Sequence, residues 1–189
     1  MKKQVYTYVI YPVAIIFLIL ILPLLRSSPE HNLDSMLFVK AMFIDRSGDE
    51  YALCVYATDA ESGDGYRLFG NGKQIEKAIQ SAKKGSYKNL FYSSAELLVL
   101  GDGIKAKEFL HLSEYAVKTE GFPLSIATFY GTSEQVSEKY EQVSDAVGAR
   151  SLGGRVRLWK YVDEALKEGK APSLLKIREG EDGKIYFEE

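Results

Sequence analysis

The side chains able to do chemistry are few and scattered along this chain. His31 and His111 are the two histidines, and neither has a partner His or Cys at the spacing of a metal site. Cys54 is the sole cysteine, set in the apolar run Leu53, Cys54, Val55, Tyr56, so it forms no disulfide within the chain and reads as a small buried hydrophobe. Asp59, Glu61 and Asp64 have the alternation of a calcium loop, but Gly70 stands at the twelfth position, where a bidentate Glu is needed. Gly70, Gly72 and Lys73 precede a helical pattern and have the flavour of a phosphate cradle. Arg67 occupies the place of the first glycine, however, and Gln74 that of the Ser or Thr. A turn before a helix is the plainer reading, with an anion at the helix start as the alternative. Ser93, Ser94 and Ser113 lack a G-x-S-x-G setting. No residue is therefore assigned a catalytic, cofactor-binding or metal-ligating role, no cofactor is expected, and the chain does not read as an enzyme.

The elements that must carry these residues follow from hydrophobic period. Met36 to Asp45 and Glu50 to Thr58 are rich in β-branched and aromatic residues and flank Arg46, Ser47, Gly48 and Asp49, which predicts a hairpin. A loop spans Asp59 to Gly65, and Tyr66 to Phe69 adds a short extended piece. Ile75, Ala78, Ile79 and Ala82 recur at intervals of three and four and end at Gly85, the mark of an amphipathic helix. Leu90 to Leu100 reads as one strand whose apolar end is buried on both faces in mid-sheet. After Gly101, Asp102 and Gly103 a helix runs to about Thr119 and buries Ile104, Phe109, Leu112 and Ala116, and a strand from Leu124 to Tyr130 follows, which predicts a right-handed parallel crossover. Ser133 caps a third helix over Glu134 to Val143. Val156, Trp159, Val162 and Leu166 mark a last helix stopped by Gly169, before two strands around a Glu181, Asp182, Gly183 turn.

The fold class is α/β with a mixed sheet, in which a β-hairpin precedes alternating helices and strands. Glycine-rich Gly148 to Gly154 predicts a module boundary. The organisation expected is an anchor over residues 1–26, a linker over 27–34, an α/β domain over 35–147, and a link, helix and strands over 148–189.

The anchor is the uncharged run from Gln4 to Leu25, bounded by Lys2 and Lys3 before it and Arg26 after it. Its 22 residues suffice to cross a hydrocarbon core of about 30 Å at about 1.5 Å per residue. Tyr6, Tyr8 and Tyr11 suit the headgroup level, and Pro12 predicts a kink. Positive charge gathers on the short side, so the remainder is expected outside the cytoplasm, on a single-pass anchor in contact with membrane lipid. Leu24, Leu25, Arg26, Ser27 and Ser28 supply no A-x-A site, which favours retention of the helix over cleavage. Beyond the anchor lie 21 basic and 26 acidic side chains, a net of about minus five, which argues against nucleic acid as a partner.

Three strings carry a family resemblance: Ala41, Met42, Phe43, Ile44, Asp45; then Gly72, Ile75, Ala78, Ile79; then Phe91, Tyr92, Ser94, Ala95, Glu96, Leu97, Leu98, Val99, Leu100, Gly101. Together with the order of elements, they resemble the C-subunit family of bacterial spore germinant receptors, of the Ger(x)C type. The resemblance covers the family's first domain over residues 35–147, and the segment from Arg155 resembles the start of its second. It implies an extracytoplasmic, membrane-attached, non-enzymatic component that docks with two integral membrane subunits of a germination complex, in the spore inner membrane. Family members usually carry a lipidated cysteine just after the leader. This chain has none there, so attachment falls to the Gln4–Leu25 helix. The reading from a different class is an extracytoplasmic small-ligand sensor on the same anchor, with a cleft near Gly70 to Lys73 and Gly101 to Gly103.

Overall fold

A computed structural model describes residues 35–150, 152, 156–170 and 172–189. The anchor, the linker and His31 lie outside the described residues. Strands β1 (Met36–Ser47) and β2 (Glu50–Asp59) form the expected antiparallel hairpin, and Gly48 turns it at a φ of 61°, which a side chain would resist. Within β1 the pairing slips between Val39 and Ala41. That bulge at Lys40 changes the parity of the strand. Leu37 and Val39 face one core before it, as do Met42 and Ile44 after it, while Ala41 and Phe43 face the other.

Strand β3 (Gly65–Gly72) pairs with β2 along its whole length, so the extended piece expected at Tyr66 to Phe69 is twice as long as its apolar residues indicate. Helix α1 (Ile75–Lys84) lies directly on β3 and buries Ile75, Ala78 and Ala82. The strand expected over Leu90 to Leu100 is interrupted. Strand β4 (Asn89–Phe91) pairs with the start of β1, Tyr92–Ser94 makes a 3₁₀ turn, and β5 (Leu97–Leu100) pairs parallel with Ala41 to Ile44. The interruption sits level with the bulge, where the Ser94 hydroxyl donates to the Val39 carbonyl at 2.9 Å and the Glu96 N–H donates to the Lys40 carbonyl at 2.9 Å. All four residues of β5 are buried, as mid-sheet placement requires.

Helix α2 (Ala106–Lys118) connects β5 to β6 (Ala127–Tyr130), and these two strands pair in parallel, as expected. The third helix is not continuous. A single turn, α3 (Ser133–Ser137), precedes α4 (Tyr140–Ala149), and the cap is Thr132, whose side chain and that of Gln135 form a reciprocal capping box. The break lets α3 bury Val136 while α4 buries Val143 and brings the Tyr140 ring to 5.0 Å from that of Tyr56. The Lys139 ammonium bridges the break, bonded to Glu134 at 2.8 Å and also to Glu179.

After α4 the chain changes face. Thr128 N–H donates to the Val156 carbonyl at 2.7 Å and Leu158 N–H to that of Ile126 at 3.0 Å, so Val156 to Leu158 run alongside the start of β6. Helix α5 (Leu158–Glu168) then packs against α2, and β7 (Lys176–Glu179) and β8 (Ile185–Glu188) close the sheet. The strand order is β3-β2-β1-β5-β6-β7-β8, with β4 alongside β1. This is a mixed α/β fold of eight strands and five helices among the described residues. Helices α1, α2 and α5 cover one face and α3 and α4 the other.

Two expectations are corrected here. Gly148 to Gly154 does not separate two modules: Leu33–Glu189 is one compact unit, in which Leu158, Tyr161, Val162 and Ala165 complete the core begun by Leu37 and Val39. Helix α5 is also rotated from the face its pattern implied. Leu158, Tyr161, Val162 and Ala165 are its buried stripe, and Trp159 and Leu166 are half exposed. Both stripes contain Val162 and both have helical period, and the small Ala165 favours the one that lets α5 lie close to its neighbours. No helix among the described residues is long and apolar enough to cross a membrane.

Candidate functional site

The places where the sequence hints at a ligand prove to be filled by the chain itself. In the loop from Asp59 to Gly65, the Asp59 carboxylate accepts the Glu61 N–H at 2.9 Å and pairs with the Lys88 ammonium at 2.7 Å, with both side chains largely out of solvent. A lysine thus occupies the position a cation would take. The Lys88 hydrogen bond holds the Asp59 carboxyl below the usual carboxylate range, and Asp59 in turn raises Lys88.

Gly70 and Gly72 admit α1 rather than a phosphate. A Cβ on Gly70 would overlap the Ala78 carbonyl, and one on Gly72 would overlap Lys77. The loop after β5 is closed in the same manner. A Cβ on Gly103 would meet the Arg46 carbonyl, and one on Gly101 the Asp45 side chain. That Asp45 carboxylate accepts the Gly103 N–H at 2.9 Å and the Arg46 N–H at 2.8 Å, stitching the end of β1 to the loop that leads into α2. At the end of β6, Gly131 leaves room for the buried Gln135 side chain. Gln135 accepts the Thr132 N–H at 2.9 Å and donates to the Ile177 carbonyl at 3.2 Å. The carboxyl ends of parallel strands are where open α/β sheets place ligands, and here those ends are occupied by Asp45 and Gln135.

The remaining candidates are accounted for locally. Burial pushes the Cys54 thiol up to about 11, against a lowering by Arg67, which leaves it protonated and unreactive. Ser113 is buried in α2 and donates to the Phe109 carbonyl at 2.8 Å, while the Ser93 hydroxyl donates to the Gly121 carbonyl at 2.8 Å. No cluster of three His, Cys, Asp or Glu gathers among the described residues.

Of the open hollows among the described residues, one adjoins the candidate residues at a helix start. A cleft of about 450 Å³ lies between α1 and α2, floored by Arg46 and Tyr51, with Lys73 at one wall and Lys107 and His111 at the other. Its floor is built by the hairpin. The Arg46 guanidinium lies 5.1 Å from the Tyr51 ring centroid and donates to Glu108 of α2 at 2.9 Å. The Tyr51 hydroxyl is 3.5 Å from His111 Nδ1. Burial raises the Tyr51 pKa, opposed by the adjacent Arg46, so the phenol is a neutral hydrogen-bonding group at physiological pH. The cleft touches the predicted alternative site at Lys73 but not at Gly70 to Gly72 or Gly101 to Gly103. Lys107, Glu114 and Lys118 share its wall because they recur along one side of α2, a spacing that also describes any solvated helix face.

No protein-family model matches the chain, and neither a curated protein nor a solved structure does.

Proposed function

We propose that this chain is a non-enzymatic docking component of a spore germination receptor-like complex, held at the cell membrane by a single-pass anchor with its α/β domain outside the cytoplasm. The docking role is carried by the outer side of α5, where Trp159 is 50 % and Leu166 54 % exposed. Seven residues apart, they share one side of the helix. Val117 is 57 % exposed on α2, the helix against which α5 packs. Large apolar side chains left in water on neighbouring helices are the composition of an interface core, with Trp foremost among residues that anchor one. The family part of the reading rests on the strings Ala41 to Asp45 and Phe91 to Gly101, which lie in β1 and across β4 and β5. The anchor part rests on the apolar run from Gln4 to Leu25.

The test is co-purification of the full chain with receptor-type integral membrane subunits from detergent extracts of a sporulating bacterium. Recovery of those subunits, lost when Trp159→Ala and Leu166→Ala are combined, supports the docking role. Recovery no greater than that of an unrelated membrane protein overturns it.

A second reading, an extracytoplasmic sensor of a small ligand on the same anchor, is favoured by the open cleft between α1 and α2. Thermal unfolding of the full chain against amino acids, sugars and anions tests it. A saturable rise in melting temperature with any of them supports sensing, and no rise with all of them argues for docking alone.

A further inference from the structure

The geometry points to an oxyanion site in the cleft between α1 and α2, where Lys73 and Lys107 would hold a small molecule bearing a carboxylate or phosphate. The inference rests on the sensing reading and names the chemistry that reading leaves open.

Charge is the first argument. Beyond the anchor, the chain carries 21 basic against 26 acidic side chains, yet this cleft is lined by Arg46, Lys73, Lys107 and Lys118 against Glu76 and Glu114. The hollow reverses the sign of the domain around it. Two of the four cations are committed, Arg46 to Glu108 at 2.9 Å and Lys118 to Glu114 at 3.3 Å. Lys73 and Lys107 have no ion pair among the described residues. Two uncommitted ammonium groups on one concave surface create a field that an anion relieves.

The second argument is a buried donor at the floor. Tyr51 is 3 % exposed, and its hydroxyl meets two side chains on the cleft, the adjacent Arg46 guanidinium, which can only donate to it, and His111 Nδ1 at 3.5 Å. That distance is the outer limit of a hydrogen bond, so the hydroxyl retains donor capacity that an oxyanion would use more fully. The first turn of α1 adds to the wall. Gln74 stands at its N-cap without a side-chain hydrogen bond, so its first backbone N–H groups have no side-chain acceptor.

His111 provides the readout. With His31→Gln, the full chain in detergent micelles has one histidine ring signal by NMR. Inorganic phosphate and acetate are titrated separately against chloride at constant ionic strength. A saturable shift of the His111 signal with either anion is the expected result, phosphate alone marking a phosphate-type site and acetate alone a carboxylate-type one. Combining Lys73→Gln with Lys107→Gln weakens that binding at least about tenfold, through loss of two charge-assisted contacts. Lys160→Gln, on α5, leaves it unchanged. Three results overturn the inference: a shift that grows linearly and equally with chloride, unaltered affinity in the Lys73 and Lys107 variant, or a neutral ligand moving His111 while neither anion does. The last would leave sensing intact and remove the oxyanion.

Discussion

The glycine-rich turns that lead into α2 and α3 and the open cleft between α1 and α2 are treated in opposite ways by the chain. At Gly101 to Gly103 and Gly131, backbone is brought so near to Asp45, Arg46 and Gln135 that no side chain fits. Between α1 and α2, Lys73 and Lys107 reach into solvent with nothing to pair with among the described residues. Missing side chains at a helix start are a statement about proximity, and the proximity here is to the protein's own groups. Binding capacity is better located by polar groups left without partners.

If that contrast is right, substitutions in the closed regions should cost stability and those in the open cleft should not. The largest effect is expected for Gly103→Ala, since the new methyl meets a backbone carbonyl that cannot rotate away. We expect a loss of about 3 kcal/mol in chemical denaturation, and a loss below about 0.5 kcal/mol would show the loop to be looser than described. Gln135→Ala should follow at about 2 kcal/mol, because it strands the Thr132 N–H and the Ile177 carbonyl. A melting temperature equal to that of the parent would mean water replaces the side chain fully.

The Asp59 loop sharpens the contrast through pH. Its carboxyl is lowered by Lys88, so its contribution is fully present above the ordinary carboxylate value and is lost as pH falls through the lowered one. The parent should therefore lose its stability advantage over Asp59→Asn as pH is taken from 6 to below about 3. A constant difference in melting temperature across that range would contradict the linkage. The smallest effect belongs to the combined Lys73→Gln and Lys107→Gln variant, expected within about 0.5 kcal/mol of the parent in denaturation at pH 7. A larger loss would place those lysines among the structural groups.

The hairpin, α1, α2 and the parallel β5–β6 crossover were legible from the sequence because each rests on a period that one window reveals. The bulge at Lys40 was not. A bulge shifts the parity of a strand by one residue, and β1 is apolar on both sides of Lys40, so Leu37, Val39, Met42 and Ile44 blend with Ala41 and Phe43. The break between α3 and α4 was hidden similarly, since Val136 and Val143 are two helical turns apart and fit one continuous helix. For α5, two stripes of equal period competed, and contacts with α2 decided between them. Gly70, Gly72, Gly101 and Gly103 mark close approach rather than the ligand cleft expected of them, and the groups they approach come from elsewhere in the chain. The cleft was only half visible for the same reason: Arg46, Tyr51, Lys73 and Lys107 come from four segments, and an exposed lysine looks the same in sequence whether it faces bulk water or a hollow.

The passage of Val156 to Leu158 across the start of β6 also has a consequence in time. Leu37 near the beginning of the domain and Ala165 near its end belong to one core, so that core is not complete until the last helix arrives and packs on α2. Such long-range closure is slow, on the order of milliseconds to seconds. A chain delivered progressively from its amino terminus therefore shows the side of α2 that α5 covers to water, chaperones and proteases until α5 has emerged. The interval between the emergence of α2 and that of α5 sets how long this domain must be protected before it can protect itself.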